Sequence, residues 1–84
     1  ENDTLVLRHE QYHFNITEYH SRLMNDYLNK KKVHSAEDYN FELKNIRERM
    51  WKMQKKYDKE TNHSLNIEIQ SFWENKIDSL LAIN

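Results

Sequence analysis

Neither glycine nor proline occurs in this chain of 84 residues, although average usage of the two together would supply about ten. No proline ring and no glycine backbone is present to interrupt a helix, so helices can end only at polar turns. The expected architecture is all-α. We expect an up-down-up three-helix bundle with helices over about residues 4–30, 36–59 and 65–81, a single helical domain or fragment spanning 1–84.

The apolar spacing supports each helix. Asp3 or Thr4 can cap the first, and Lys30, Lys31 and Lys32 suit the negative end of its dipole. Ser35-Ala36-Glu37-Asp38 resembles a capping box for the second. From there Tyr39, Leu43, Ile46, Met50, Met53 and Tyr57 recur at steps of four and three, a coiled-coil-like seam that reads as core rather than as a cofactor box. Trp51 and Phe41 lie off that seam and mark either contact with a third element or an exposed interaction surface. The run Tyr57 to Ser64 breaks the pattern and should end the helix. In the third helix Leu65, Ile69, Phe72, Trp73, Ile77 and Leu80 form a broad apolar face.

Composition excludes several functions. Thirteen basic and fourteen acidic residues leave a formal charge of −1, which gives no global electrostatic case for nucleic acid or an anionic membrane. No apolar run reaches transmembrane length, and the first residues lack the pattern of a signal peptide. With no cysteine, disulfides and thiolate zinc sites are excluded, so a metal would need His, Asp or Glu. Only 37% of residues are hydrophobic, a thin core for which a bound metal would add roughly several kcal/mol.

The chemistry-bearing stretch is His9-Glu10-Gln11-Tyr12-His13, a His-Glu-x-x-His run within the first helix. Imidazoles four residues apart project from one helix face and can share a Zn²⁺, while Glu10 can act as general base toward water at the metal. At 100° per residue, His9 and His13 fall inside the apolar stripe with Leu5, Val6, Ile16, His20, Leu23, Met24 and Tyr27. Metal ligands need such partly dry, packed positions; two core histidines bonded to other side chains would fit the same pattern.

A third ligand must come from elsewhere. His20 shares the face but lies about 10 Å further along an unbroken helix, and Glu18 points away from His9. If the first two helices are antiparallel, residue numbers at equal height sum to about 65. The segment from Tyr57 to His63 then returns to His9 and His13. His63 is the leading candidate, with Glu60 and Asp58 as further ligands or as acceptors orienting a ring, and Tyr57 is placed to donate a hydrogen bond to a developing oxyanion.

His9-Glu10-Gln11-Tyr12-His13-Phe14, followed by Tyr57-Asp58-Lys59-Glu60-Thr61-Asn62-His63-Ser64 and Gln70-Ser71-Phe72-Trp73, resembles the bacterial domain-of-unknown-function 922 family of predicted zinc-dependent proteases. That family's pattern is His-Glu-Gln-x-His-Phe, Tyr-Asp-x-x-Thr-x-His-Gly and Gln-x-x-Trp, and the likeness spans most of the chain. It implies zinc held by His9, His13 and His63 with Glu10 as base, a peptide or protein substrate, and a bacterial cell-envelope or secreted setting. Ser64 departs from the pattern, standing where the family has glycine; a glycine there would serve a left-handed turn after the ligand.

The expected function is a zinc-dependent metallopeptidase. Zincins place a β-sheet before the active-site helix, and the chain has no room for one before Asp3 and no initiator methionine. We therefore expect the C-terminal helical part of a larger zincin-like domain, which by itself need not hydrolyse peptides. The alternative is a catalytically inactive helical interaction module using Trp51, Phe41 and the second-helix seam; a nucleic-acid-binding bundle using Lys30 to Lys32, Arg47, Arg49, Lys52, Lys55 and Lys56 is the weakest reading.

Overall fold

The computed structural model describes residues 3–30 and 34–83. It contains three helices, α1 (Asp3–Lys30), α2 (Ala36–Thr61) and α3 (Ile67–Ile83), and no strand among the described residues. The chain is an all-α three-helix bundle. Lys31 and Lys32 lie outside the described residues. Ser35 caps α2 as its sequence implies, its Oγ accepting from the Asp38 N–H at 3.1 Å. No helix among the described residues is long and apolar enough to cross a membrane.

The antiparallel register of α1 and α2 is close to that expected from helix rise. His9 meets Asp58, and His13 meets Gln54, each within two residues of the expected level. α3 then runs parallel to α1, with Arg8 against Glu74 and Tyr12 Oη donating to Asp78 at 2.9 Å. At 17 residues α3 is much shorter than α1 at 28 and α2 at 26, so the three-layered part of the molecule is the end that holds His9.

The core follows that asymmetry. Ile16, Tyr57, Trp73 and Ile77 are buried together, with Tyr12, Met50, Met53, Ile69 and Leu81 packed around them. Along the α2 seam burial falls away from Tyr57 toward Tyr39, which is exposed. α3 is rotated from the face expected of its apolar residues. Leu65 and Phe72 are exposed, whereas Gln70 and Glu74 are buried beside Trp73 and Ile77. The rotation is explained by what the two polar residues meet: Glu74 takes Arg8, and Gln70 reaches His9 and Tyr57. Buried polar groups with such partners can displace apolar ones from a helix face.

The α2–α3 turn differs by two residues from the expected boundaries. α2 ends in a Schellman arrangement, in which His63 N–H donates to the Asp58 carbonyl at 3.0 Å and Asn62 N–H to Lys59 at 3.2 Å. Asn62, His63 and Ser64 then all have positive φ, at 50°, 52° and 85°. No glycine is available to take this path, and each non-glycine residue costs about 1–2 kcal/mol in the left-handed region. Asn66 stops the turn by accepting the Ile69 N–H on Oδ1 at 3.1 Å, which starts α3 at Ile67 rather than Leu65.

Two consequences can be measured by urea denaturation. Ser64→Gly should stabilise the fold by roughly 0.5–1 kcal/mol by relieving the strained φ, and Ser64→Val should destabilise it, because a β-branched residue tolerates that region worst. His20 is buried with Nδ1 donating to the Ile16 carbonyl at 2.8 Å. Burial lowers its pKa below the ordinary 6.5, outweighing that bond, and Arg49 adds to the effect. The folded state therefore favours the neutral ring, and this contribution is complete above the ordinary value and lost as pH falls through the depressed one. Stability should fall more between pH about 7 and 5 for the parent than for His20→Gln.

Candidate metal centre

Three helices each contribute an i, i+4 pair to one small volume: His9 and His13 from α1, Gln54 and Asp58 from α2, Gln70 and Glu74 from α3. Residues spaced by four stack on one helix face, so once the register is set the six side chains have to meet.

Asp58 Oδ1 is the node. It lies 2.7 Å from His9 Nε2 and 2.5 Å from His13 Nε2. His63 Nδ1, brought round by the left-handed turn, lies 3.8 Å from the same oxygen. Ligating atoms of His9, Asp58 and His63 all fall within 4.8 Å of one another. His9 is buried, Asp58 is partly exposed and the His63 side chain is 73% exposed, so the group opens to solvent on the His63 side.

The far nitrogen of each α1 imidazole is fixed by a glutamine. His9 Nδ1 donates to Gln70 Oε1 at 2.9 Å, and His13 Nδ1 donates to Gln54 Oε1. Neither amide can be turned over without loss. Gln70 Nε2 donates to Tyr57 Oη at 2.8 Å and to Glu74 Oε2 at 3.0 Å. Gln54 Nε2 donates to the His13 carbonyl and to Thr17 Oγ1, both at 3.0 Å. Both Nδ1 atoms therefore carry a hydrogen, and each Nε2 faces the Asp58 oxygen, to which it can donate when the ring is protonated or alongside which it can bind a cation when it is not.

Two arrangements bring both Nε2 atoms against the carboxylate without an uncompensated lone pair. Both rings can be protonated, which places two positive charges on imidazoles whose centroids are 4.8 Å apart against a single carboxylate. Alternatively a cation can lie against both Nε2 atoms and the carboxylate. The second removes the repulsion of the first and has the familiar form of a metal-binding histidine oriented by a carbonyl on its other nitrogen. Among the described residues, the group whose ligand atoms lie close enough together to hold a metal ion is His9, Asp58 and His63, with His13 bonded to the same Asp58 oxygen.

Tyr57 supports the cluster from beneath. Its ring stacks on His9 at 4.5 Å and 11°, and its hydroxyl donates to the His9 carbonyl at 2.9 Å while accepting from Gln70. Burial, reinforced by the charges of Glu74, Asp58 and Glu10, pushes its pKa up to about 12 despite the Gln70 bond. The Tyr57 proton is thus directed at the α1 backbone, and its ring packs under His9. At Asp58, burial alone would raise the carboxyl pKa, but the bonds from His9 and His13 and their charge hold it below the ordinary range.

The remaining candidates are distributed as follows. Glu10 is exposed next to His9 on α1. Glu60 accepts from Trp73 Nε1 at 2.9 Å and stands outside the cluster. Glu18 pairs with Arg22 at 2.7 Å, and His20 bonds its own helix backbone. Gln54, Glu74 and Arg8 belong to the network although no motif in the sequence marks them, and Gln70, the first residue of the Gln-x-x-Trp block, belongs to it without having been assigned a role. The i, i+4 spacing of Gln54 to Asp58 and of Gln70 to Glu74 is the one signal that could have found them.

Comparison with known proteins gives no match: no family model fits the chain, and neither a curated protein nor a solved structure is similar to it. The site has to be read from its own chemistry.

Removing the Gln70 amide leaves His9 Nδ1 and Tyr57 Oη each short of a buried partner. Gln70→Leu should therefore cost about 2 kcal/mol of stability in urea denaturation, more than Gln54→Leu at the better-solvated edge of the cluster.

Proposed function

We propose that His9, His13, Asp58 and His63 hold one zinc ion and that the chain is the metal-holding helical part of a zinc-dependent peptide-bond hydrolase. The observation that carries this reading is the convergence of His9 Nε2, His13 Nε2 and His63 Nδ1 on one Asp58 oxygen, with the other nitrogen of each α1 ring held by a glutamine carbonyl. The order of the three sequence blocks, His9 to Phe14, Tyr57 to Ser64 and Gln70 to Trp73, supports the same reading by resemblance to the predicted zinc-dependent proteases. So do the residue types present, since nitrogen and carboxylate ligands suit zinc and a small, thinly cored domain gains stability from it.

The roles divide among the residues accordingly. His9 and His13 bind through Nε2, their rings held in place by Gln70 and Gln54. Asp58 contributes a carboxylate oxygen already drawn to both. His63 approaches from the exposed turn and would supply a further nitrogen ligand. Zinc, when bound, supplies a Lewis acid that acidifies water and polarises a carbonyl. Glu10, on the exposed flank of His9, accepts a proton from attacking water and delivers it to the leaving amine. Tyr57 keeps the α1 backbone and the His9 ring in register and excludes water beneath them.

Elemental analysis of the purified chain after exposure to zinc tests the site. The parent should carry one equivalent; His13→Ala and Asp58→Asn should lose it, and Gln70→Leu should lower affinity roughly 10- to 100-fold. Glu10→Gln should keep the full equivalent while reducing hydrolysis of a casein substrate about 10²- to 10⁴-fold. A parent that takes up no zinc at neutral pH overturns the metal centre, and equal hydrolysis by parent and Glu10→Gln overturns the assigned base.

A further inference from the structure

Trp51 and Asp58 are seven residues apart on α2, so their directions differ by only about 20° around the helix. Three surface depressions lie along this part of α2, each sharing a lining residue with the next. The first is lined by Leu43, Met50 and Trp51 with Lys44, Arg47 and Glu48. The second shares Trp51 and continues to Lys55. The third shares Lys55 and ends at Asp58 and His63, beside the metal cluster. The three together run along one helix from an exposed aromatic ring to the proposed centre.

Charge on this path departs from that of the whole molecule. The chain is close to neutral, yet the path is lined by Lys44, Arg47, Lys52, Lys55 and Lys59 against Glu48 and Asp58 as acids. Trp51 is 62% exposed, with the Lys55 ammonium 4.3 Å from its ring centroid. A broad aromatic ring offered to solvent beneath a cation is a costly surface to leave uncovered, and Trp and Arg are the residue types that most often anchor a bound chain.

We infer that this face of α2 docks the substrate and selects an extended acidic peptide that seats one apolar side chain on Trp51. The inference rests on the metal centre proposed above and adds the class of substrate. Seven residues of helix span about 10.5 Å, and an extended peptide covers that distance in about three residues at roughly 3.3 Å each. The apolar side chain therefore falls about three residues from the bond presented to the cluster, with acidic neighbours paired to Lys44, Arg47 and Lys55. An apolar lining beside a single ring favours a peptide over a nucleic acid, whose phosphates would meet the cations but leave Leu43 and Met50 uncovered.

The test is fluorescence anisotropy of a fluorescein-labelled hexapeptide, Asp-Leu-Glu-Asp-Leu-Glu, with the zinc-treated chain. A peptide with lysine at every acidic position and a labelled single-stranded oligodeoxynucleotide are run beside it. The acidic peptide should bind at least tenfold more tightly than the basic one. Trp51→Ala and Lys55→Glu should each weaken it more than tenfold while circular dichroism stays unchanged, since both side chains are exposed. Equal affinity of parent and Trp51→Ala overturns the track, as does equal affinity for the two peptides. Tighter binding of the oligonucleotide, weakened by the same substitutions, overturns the peptide assignment in favour of nucleic acid. Zinc content of the same samples separates the two readings. Full zinc with no dependence on Trp51 overturns the track alone, whereas absent zinc overturns the metal centre and leaves the anisotropy to judge the track.

Discussion

Two imidazoles that must keep their hydrogen on Nδ1 are the constraint on which the rest of this molecule depends. Because Gln70 and Gln54 present carbonyl oxygens to those nitrogens, the opposite nitrogens converge on Asp58, and every neighbouring element is arranged to hold that convergence. Tyr57 lies under the His9 ring, and Glu74 anchors the Gln70 amide while pairing with Arg8. The turn after α2 follows a left-handed path through three non-glycine residues and thereby carries His63 to the same oxygen. Strained backbone persists where the surrounding structure holds it, and here it lies next to a polar cluster.

Much of the fold is legible in the sequence because local signals are strong. The absence of glycine and proline, the Ser35 cap and the α2 seam place three helices with ends within about two residues of those observed. Register between α1 and α2 follows from helix rise alone. The face of α3 is not legible, for a physical reason. Hydrophobic periodicity counts Phe72 and Leu65 as core, but buried Gln70 and Glu74 have partners that only the assembled bundle supplies, and satisfying them turns the helix. Sequence composition also ends α2 too early, because without glycine it does not suggest a left-handed exit through Asn62, His63 and Ser64.

The candidate site divides in the same way. His9 and His13 are found from their spacing, and helix register returns the turn to their neighbourhood, so Asp58 and His63 are within reach as ligands. Asp58 nevertheless ranks below His63 on sequence alone, because nothing in a linear pattern shows that a carboxylate on α2 shares the face of Gln54 and meets both rings at once. The nearness of Tyr57 to His9 is readable in advance, whereas the direction of its hydroxyl depends on Gln70. Orientation of hydrogen bonds is a property of the packed state, and it separates a metal-binding pair of histidines from an ordinary buried pair.

Long-range proton–nitrogen NMR of the ¹⁵N-labelled histidine rings, recorded before and after one equivalent of zinc, tests that orientation most directly. On this account His9 and His13 keep the Nδ1 hydrogen while both Nε2 resonances move together to values of a metal-bound nitrogen, with one metal per chain. Rings that remain protonated on both nitrogens after zinc is added would contradict it, and would make the cluster a pair of imidazoliums neutralised by Asp58.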